Sequence, residues 1–246
     1  MSNFFKSFPI IRYSFGDAED PVIFQNIGTY IDLVDQIKDD AAYYTTTNIE
    51  EYERPDTLSY KLYRTTEYYW TFYLLNDKIR ECGWPITNKQ LYENASKYYP
   101  NRVITTTSDI NGTVDDPTPF VVGATVQGLV SGTTGKILKR YPDLGQLVIG
   151  TSNNFNVGES VRVLGNSVTS IIVHSEAAQY NSVHHYENAL GEWIDINPNT
   201  QSVSGLTPIT YLDRLIEQNT ELKEIKVLKD TVAPQIASNF RKSLLL

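Results

Sequence analysis

Arg54-Pro55-Asp56-Thr57-Leu58-Ser59-Tyr60-Lys61-Leu62-Tyr63-Arg64-Thr65-Thr66-Glu67-Tyr68-Tyr69-Trp70-Thr71-Phe72-Tyr73-Leu74-Leu75-Asn76-Asp77 decides how this chain folds. It reads as two short helices with a tight joint. Pro55 fixes its own φ and pushes Arg54 out of the helical region. Asp56 is then placed to accept from the backbone N–H groups of the first turn. Leu58 and Leu62 lie four apart and share a face. Thr65 or Thr66 caps the second helix, and Glu67 suits its positive end. That helix carries Tyr69, Phe72, Tyr73 and Asn76 on one side and Trp70 and Leu74 on another. A helix apolar on most sides is buried on most sides.

Working outward, Ala41–Glu50 is rich in β-branched and aromatic residues and reads as a strand leading into the motif. Cys82-Gly83-Trp84-Pro85-Ile86 reads as a turn. Thr87-Asn88-Lys89-Gln90 matches a capping box for a third helix, with Ile86 and Leu91 as its hydrophobic staple. Leu91, Ala95 and Tyr99 form its inner face, Pro100 stops it, and Arg102–Thr107 is the expected returning strand. The composition changes over residues 108–175, which hold nine of the 14 glycines and one of the 17 tyrosines. Short alternating runs separated by turns predict a small antiparallel barrel or sandwich there. Val183–Glu187 and Glu192–Ile196 form a hairpin, and 197–209 reads as a loop. A helix with Tyr211, Leu212, Leu215 and Ile216 follows, then a strand over 221–229 and a last helix capped by Asp230. At the other end, Phe4, Phe5 and Phe8 make an aromatic arm, and Ile27, Tyr30, Ile31, Val34 and Ile37 mark an amphipathic helix.

The run Arg54-Pro55-Asp56-x-Leu58-Ser59-x-x-Leu62-Tyr63, followed by Tyr68-Tyr69-Trp70 and Asn76-Asp77, resembles the baseplate wedge family of contractile-tailed (T-even-like) bacteriophages, the gene product 53 family. It also resembles a LysM module, and the wedge family carries a LysM-like βααβ unit at this place. The resemblance covers residues 1–105 and 181–245. The pattern Val126-x-Gly128-x-x-Ser131-Gly132-x-Thr134-Gly135-x-Ile137, followed by Phe155–Val161, is similar to small β-modules of phage structural proteins. Shorter wedge-family members lack that segment. The expected fold is α+β, with an N-terminal arm over 1–40, a LysM-like core over 41–107, an inserted β domain over 108–180, and a hairpin plus helix–strand–helix tail over 181–246.

The resemblance implies a structural subunit of the virion's tail baseplate, assembled in the host cytoplasm. Its implied partners are the helical bundle subunits of the wedge, neighbouring wedges and a sheath-initiator-like subunit. The implied partner-binding or motif residues are Phe4, Phe5, Phe8, Arg54, Pro55, Asp56, Leu58, Ser59, Tyr63, Tyr69, Trp70 and Asn76. The alternative is a LysM-type peptidoglycan-binding module. LysM grooves expose polar loops at their strand–helix joins, whereas here the joins carry Pro55 and the bulky Tyr63-Arg64, which favours a protein partner.

Composition agrees with that reading. The chain has 246 residues and a formal net charge of -8, which argues against a surface that tracks phosphates and so against nucleic acid. No apolar run reaches the ~18 residues of a membrane span, and Met1–Pro9 lacks the apolar core of a signal peptide. Tyrosine, with its apolar body and polar tip, suits interfaces. No catalytic set, cofactor motif or metal motif is found. His184 and His185 point to opposite faces if they lie on a strand, His174 stands alone, and Cys82 reads as a buried structural thiol.

Overall fold

The structure, a computed structural model of the chain, describes residues 10–14, 22–25, 40–108, 110, 118–166 and 168–243. Phe4, Phe5 and Phe8, and the helix expected around Ile27–Ile37, lie outside the described residues. The first elements are β1 (Ile10–Tyr13), β2 (Val22–Gln25), β3 (Tyr44–Asn48), α1 (Pro55–Tyr63), α2 (Trp70–Leu75), α3 (Asp77–Cys82) and α4 (Asn88–Tyr98). Next come β4 (Arg102–Thr105), β5 (Thr125–Gly128), β6 (Thr134–Tyr141), β7 (Gln146–Gly150), β8 (Ser160–Val163), β9 (Ser170–Ile172) and β10 (Ser175–Ala178). The last are β11 (Val183–Glu187), β12 (Trp193–Ile194), β13 (Thr207–Thr210), α5 (Tyr211–Glu221), β14 (Glu224–Leu228) and α6 (Ala233–Ser243). Helices and mostly antiparallel strands thus mix along the chain, as the α+β expectation requires. They divide into two compact units, residues 1–87 with 218–246, and residues 88–217. The sequence had placed boundaries at 107/108 and 180/181.

In the first unit α2 is the centre. Its residues Trp70, Thr71, Phe72, Leu74 and Leu75 are all buried. Trp70, Leu74 and Leu75 pack with Leu228 and with Ala233, Ile236 and Ala237 of α6. Phe72 faces the other way, into Ile49, Leu58, Ile79, Ile225 and Val227. Burying a side chain such as Phe72 or Leu58 is worth about 1.5–3 kcal/mol relative to exposure. One six-residue helix therefore joins two apolar clusters, which explains why its aromatic residues leave it almost no polar face. The strand beside it, β14, pairs antiparallel with β3, from Tyr44↔Leu228 to Asn48↔Glu224.

That pairing corrects one expectation. The strand that returns to β3 is β14, more than a hundred residues further along, and not Arg102–Thr107. β4 instead lies between β7 and β10. The reason is burial: Val103 and Ile104 are adjacent and both buried, so this strand needs apolar cover on both faces.

In the second unit a seven-stranded sheet runs β10-β4-β7-β6-β5-β8-β9. Its two outermost members are one stretch of chain. The Val173 N–H donates to the Glu159 carbonyl at 3.0 Å, and the His174 N–H donates to the Thr105 carbonyl at 2.8 Å. Residues 170–178 thus bond to β8 through their first half and to β4 through their second. Ile104, Phe120, Val126, Ile137, Leu147, Ile149, Phe155, Val161 and Ile171 fill the interior. Ahead of β5 the Ala124 N–H donates to the Val121 carbonyl at 3.0 Å, closing a turn in which Gly123 has a φ of +91°.

A three-stranded sheet, β12-β11-β13, completes this unit. The sequence read 197–209 as a loop because of its prolines. β13 forms nonetheless, since Pro208 sits on an edge strand where a missing N–H costs no ladder bond. α5 starts with a reciprocal cap. The Asp213 N–H donates to Thr210 Oγ1 at 3.1 Å, and the Thr210 N–H donates to Asp213 Oδ2 at 2.9 Å.

Candidate partner-binding motif

The motif helix α1 begins at Pro55, and its first turn is closed by the Arg54 N–H donating to Thr57 Oγ1 at 2.9 Å. Thr57, three residues after the cap, takes the role the sequence gave to Asp56. Asp56 instead pairs with the Arg54 side chain at 3.2 Å on the surface. Leu58 and Ser59 are fully buried. Ser59 Oγ donates to the Thr65 carbonyl at 2.8 Å, which ties α1 to the joint after it. Arg64 ends α1 in the left-handed region at φ 58°, its N–H returning to the Tyr60 carbonyl. The Tyr63 hydroxyl donates to the Leu228 carbonyl at 2.9 Å, and its ring stacks on Phe72 at 6.2 Å. Burial raises the Tyr63 hydroxyl well above the usual phenol range.

Asn76 breaks the helix between α2 and α3. Its backbone is extended, and its amide faces β14. Asn76 Nδ2 donates to the Lys226 and Phe72 carbonyls, each at 2.8 Å, while Oδ1 accepts from the Lys226 N–H at 2.8 Å. Lys226 presents its N–H and C=O on the side of β14 away from β3, so the amide takes the place of a neighbouring strand there. Asn219 repeats the device: its side chain accepts from the Ile86 N–H at 2.8 Å and donates to the Ile86 carbonyl at 3.0 Å. Of the motif residues named from sequence, Leu58, Ser59, Trp70 and Asn76 are thus engaged within their own unit. Arg54 and Asp56 reach the surface.

The loop before α1 carries a feature the sequence reading missed. Tyr52 lies at φ 67°, uncommon for a bulky residue, and is 75% exposed. The loop is held from three sides. The Glu50 N–H donates to Glu53 Oε2 at 3.0 Å, Lys61 Nζ reaches Glu50 Oε1 at 2.8 Å, and the Trp84 indole N–H donates to the Glu53 carbonyl at 2.7 Å. A positive φ has no signature in side-chain pattern, which is why Tyr52 did not stand out.

Two expectations about reactive groups are corrected. Cys82 is exposed: it ends α3, whose single buried residue is Ile79. His184 and His185 do not point apart. The register of β11 against β13 shifts between Val183 and His185, and such a bulge re-aims side chains. Their Nδ1 atoms lie 2.9 Å apart. Among the described residues no group of three His, Cys, Asp or Glu side chains is placed to hold a metal ion.

The second unit also contains a buried carboxylate. Glu159 accepts from the N–H groups of Val130, Ser131 and Asn156 and from Ser131 Oγ, at 2.6–2.9 Å. Burial would raise its pKa, but these hydrogen bonds outweigh that and hold the carboxyl below its usual value. Gly128 is required beside it: a Cβ there would come within 2.7 Å of both carboxylate oxygens. The spacing Gly128-x-x-Ser131 is thus the footprint of one ion.

No curated protein matches the chain. Residues 13–118 match the family model described as base plate wedge protein 53. That segment holds the quoted motif and both of its helices, and over it the chain is similar to the base plate wedge protein 53 family.

Proposed function

We propose that this chain is a non-enzymatic structural subunit of a phage tail baseplate wedge. It joins wedge proteins and neighbouring wedges and supports the start of the sheath, within the virion. The observation that carries the reading is the hairpin β1–β2, most of which lies in the family-matched segment. Its register is Ile10↔Gln25 to Tyr13↔Val22. Ile10 is 70% exposed, Ile23 63% and Val22 48%. A lone two-stranded hairpin is marginal in water, and exposed apolar residues grouped on one element mark an interaction site. The buried motif supplies rigidity, while the hairpin supplies contact. The test is to replace Ile10 and Ile23 with Asp and measure co-assembly with purified wedge proteins. Incorporation is expected to be lost while the melting temperature stays within about 2 °C of wild type, as for surface changes. Normal incorporation would refute the assignment.

A peptidoglycan-binding role is the second reading. It draws support from β3, α1, α2 and β14, which follow a LysM-like order with the last strand supplied from far along the chain. In this reading unit one is a discontinuous LysM-like core, and the sheet of unit two is a small closed barrel. A pull-down on purified peptidoglycan separates the two functions: retention at wild-type salt would favour glycan binding, and its absence is expected.

A further inference from the structure

We propose that Arg214, His184, His185 and Glu187 form an acid-released latch that holds helix α5 to the three-stranded sheet of the second unit. Arg214 Nη1 lies 2.8 Å from His184 Nε2. His184 Nδ1 lies 2.9 Å from His185 Nδ1, and His185 Nε2 lies 2.9 Å from Glu187 Oε1. The two ends fix every proton between them. A guanidinium only donates, so His184 Nε2 must accept. The His184 proton is then on Nδ1 and is donated to His185 Nδ1, which must also accept. The His185 proton is left on Nε2, where it meets the Glu187 carboxylate. Only the arrangement with both imidazoles neutral satisfies all three contacts. A proton added to His184 meets the Arg214 donor, and one added to His185 meets the His184 donor.

The surroundings favour a neutral His184. His185 is buried, and the Trp193 ring of β12 stacks on it at 4.0 Å. The Arg214 guanidinium sits 4.9 Å from the Trp193 ring centre. Tyr211 of α5 packs edge-on to His184 at 4.8 Å, with Tyr99 and Tyr141 behind it. The charged groups facing the pair are Arg214 from α5, Glu187 from β11 itself and Asp195 just beyond β12. Burial first, then Arg214 and His185, hold the His184 imidazole below its ordinary value, against an opposing pull from Asp195. For a base whose folded pKa is depressed, the unfolded state binds more protons. The stability it contributes is therefore complete above about pH 6.5 and is lost as pH falls from there toward the folded value.

The test uses the full chain and nitrogen NMR of the imidazoles with amide exchange. At about pH 7.5, His184 is expected as the Nδ1–H tautomer and His185 as the Nε2–H tautomer. Between about pH 7.5 and about pH 5.5, exchange across residues 214–217, corrected for its intrinsic pH dependence, should speed up by about tenfold. The variant His184→Gln/His185→Gln keeps neutral donors and acceptors in the chain and should lose that acceleration. The opposite tautomer at either ring, or exchange in wild type that ignores pH, overturns the proposal. So does equal acceleration in the glutamine variant. If the variant does not fold, the wild-type tautomers and exchange still decide.

Discussion

Asn76 ends α2 in an extended conformation and turns its amide onto Lys226, so the Lys226 N–H and carbonyl depend on one side chain. Removing it leaves buried partners unmet, which costs about 2–3 kcal/mol. Asn76→Asp is the sharper test. A carboxylate cannot donate to the Phe72 and Lys226 carbonyls, so it should destabilise at least as much as Asn76→Ala in urea melts. Wild-type stability for Asn76→Asp would show that the amide does not donate. Glu159 makes a pH-dependent case. Its folded pKa is depressed, so its contribution is present above the unfolded carboxyl value of about 4.3 and is lost as pH falls through the folded value. Glu159→Gln should cost about 1.5–3 kcal/mol near pH 7, because hydrogen bonds to a charged group are replaced by weaker ones. The gap to wild type should close near about pH 3. A gap that is constant across this range would mean the carboxylate charge is not what the loop needs.

At the scale of elements, α2 shows how much was legible. Its aromatic girdle announced burial on every side, and Trp70, Phe72, Leu74 and Leu75 are indeed buried. Helices α4 and α6 and the β11–β12 hairpin were legible for a related reason: periodicity and turns are local, although α6 starts at Ala233, three residues after the Asp230 expected to cap it. What escaped was non-local or conformational. Nothing within Arg102–Thr105 names β7 and β10 as its partners, although the adjacent Val103 and Ile104 were a sign of cover on both faces. The bulge that brings His184 against His185, and the left-handed Tyr52, leave no mark on residue pattern. The same non-local packing gives α2 its testable role. Trp70 and Leu74 meet Ala233, Ile236 and Ala237, so α2 is what α6 rests on. Trp70→Ala should cost about 3–5 kcal/mol in thermal or urea melts, as for other deleted core aromatics. It should also expose α6 to limited proteolysis before the rest of the first unit. A loss below about 1 kcal/mol would mean Trp70 is not part of this core.

For the molecule as a whole, the separable piece is not the one its composition suggests. Residues 108–180 differ in glycine and tyrosine content from both flanks, yet their sheet includes β4 from outside that range. Excising 109–179 would remove β7 and β10, the two neighbours of β4, and would bare Val103 and Ile104. The chain offers a better pair of cut points. Within the first unit Ile86 and Asn219 are hydrogen-bonded to each other through the Asn219 amide. Both clusters that flank α2 are made wholly from residues of that unit. Residues 88–217 therefore leave and rejoin the first unit at adjacent points, and closing a short loop there costs little chain entropy. A protein in which Thr87 is joined to Gln218 by about four Gly/Ser residues should melt cooperatively, with β3 and β14 still paired. The variant that lacks 109–179 should instead be poorly soluble or lose the cooperative transition of its second unit. Cooperative folding of the 109–179 deletion, or a molten state for the 88–217 deletion, would reverse this assignment. It would also return the division of the chain to the boundaries its composition draws.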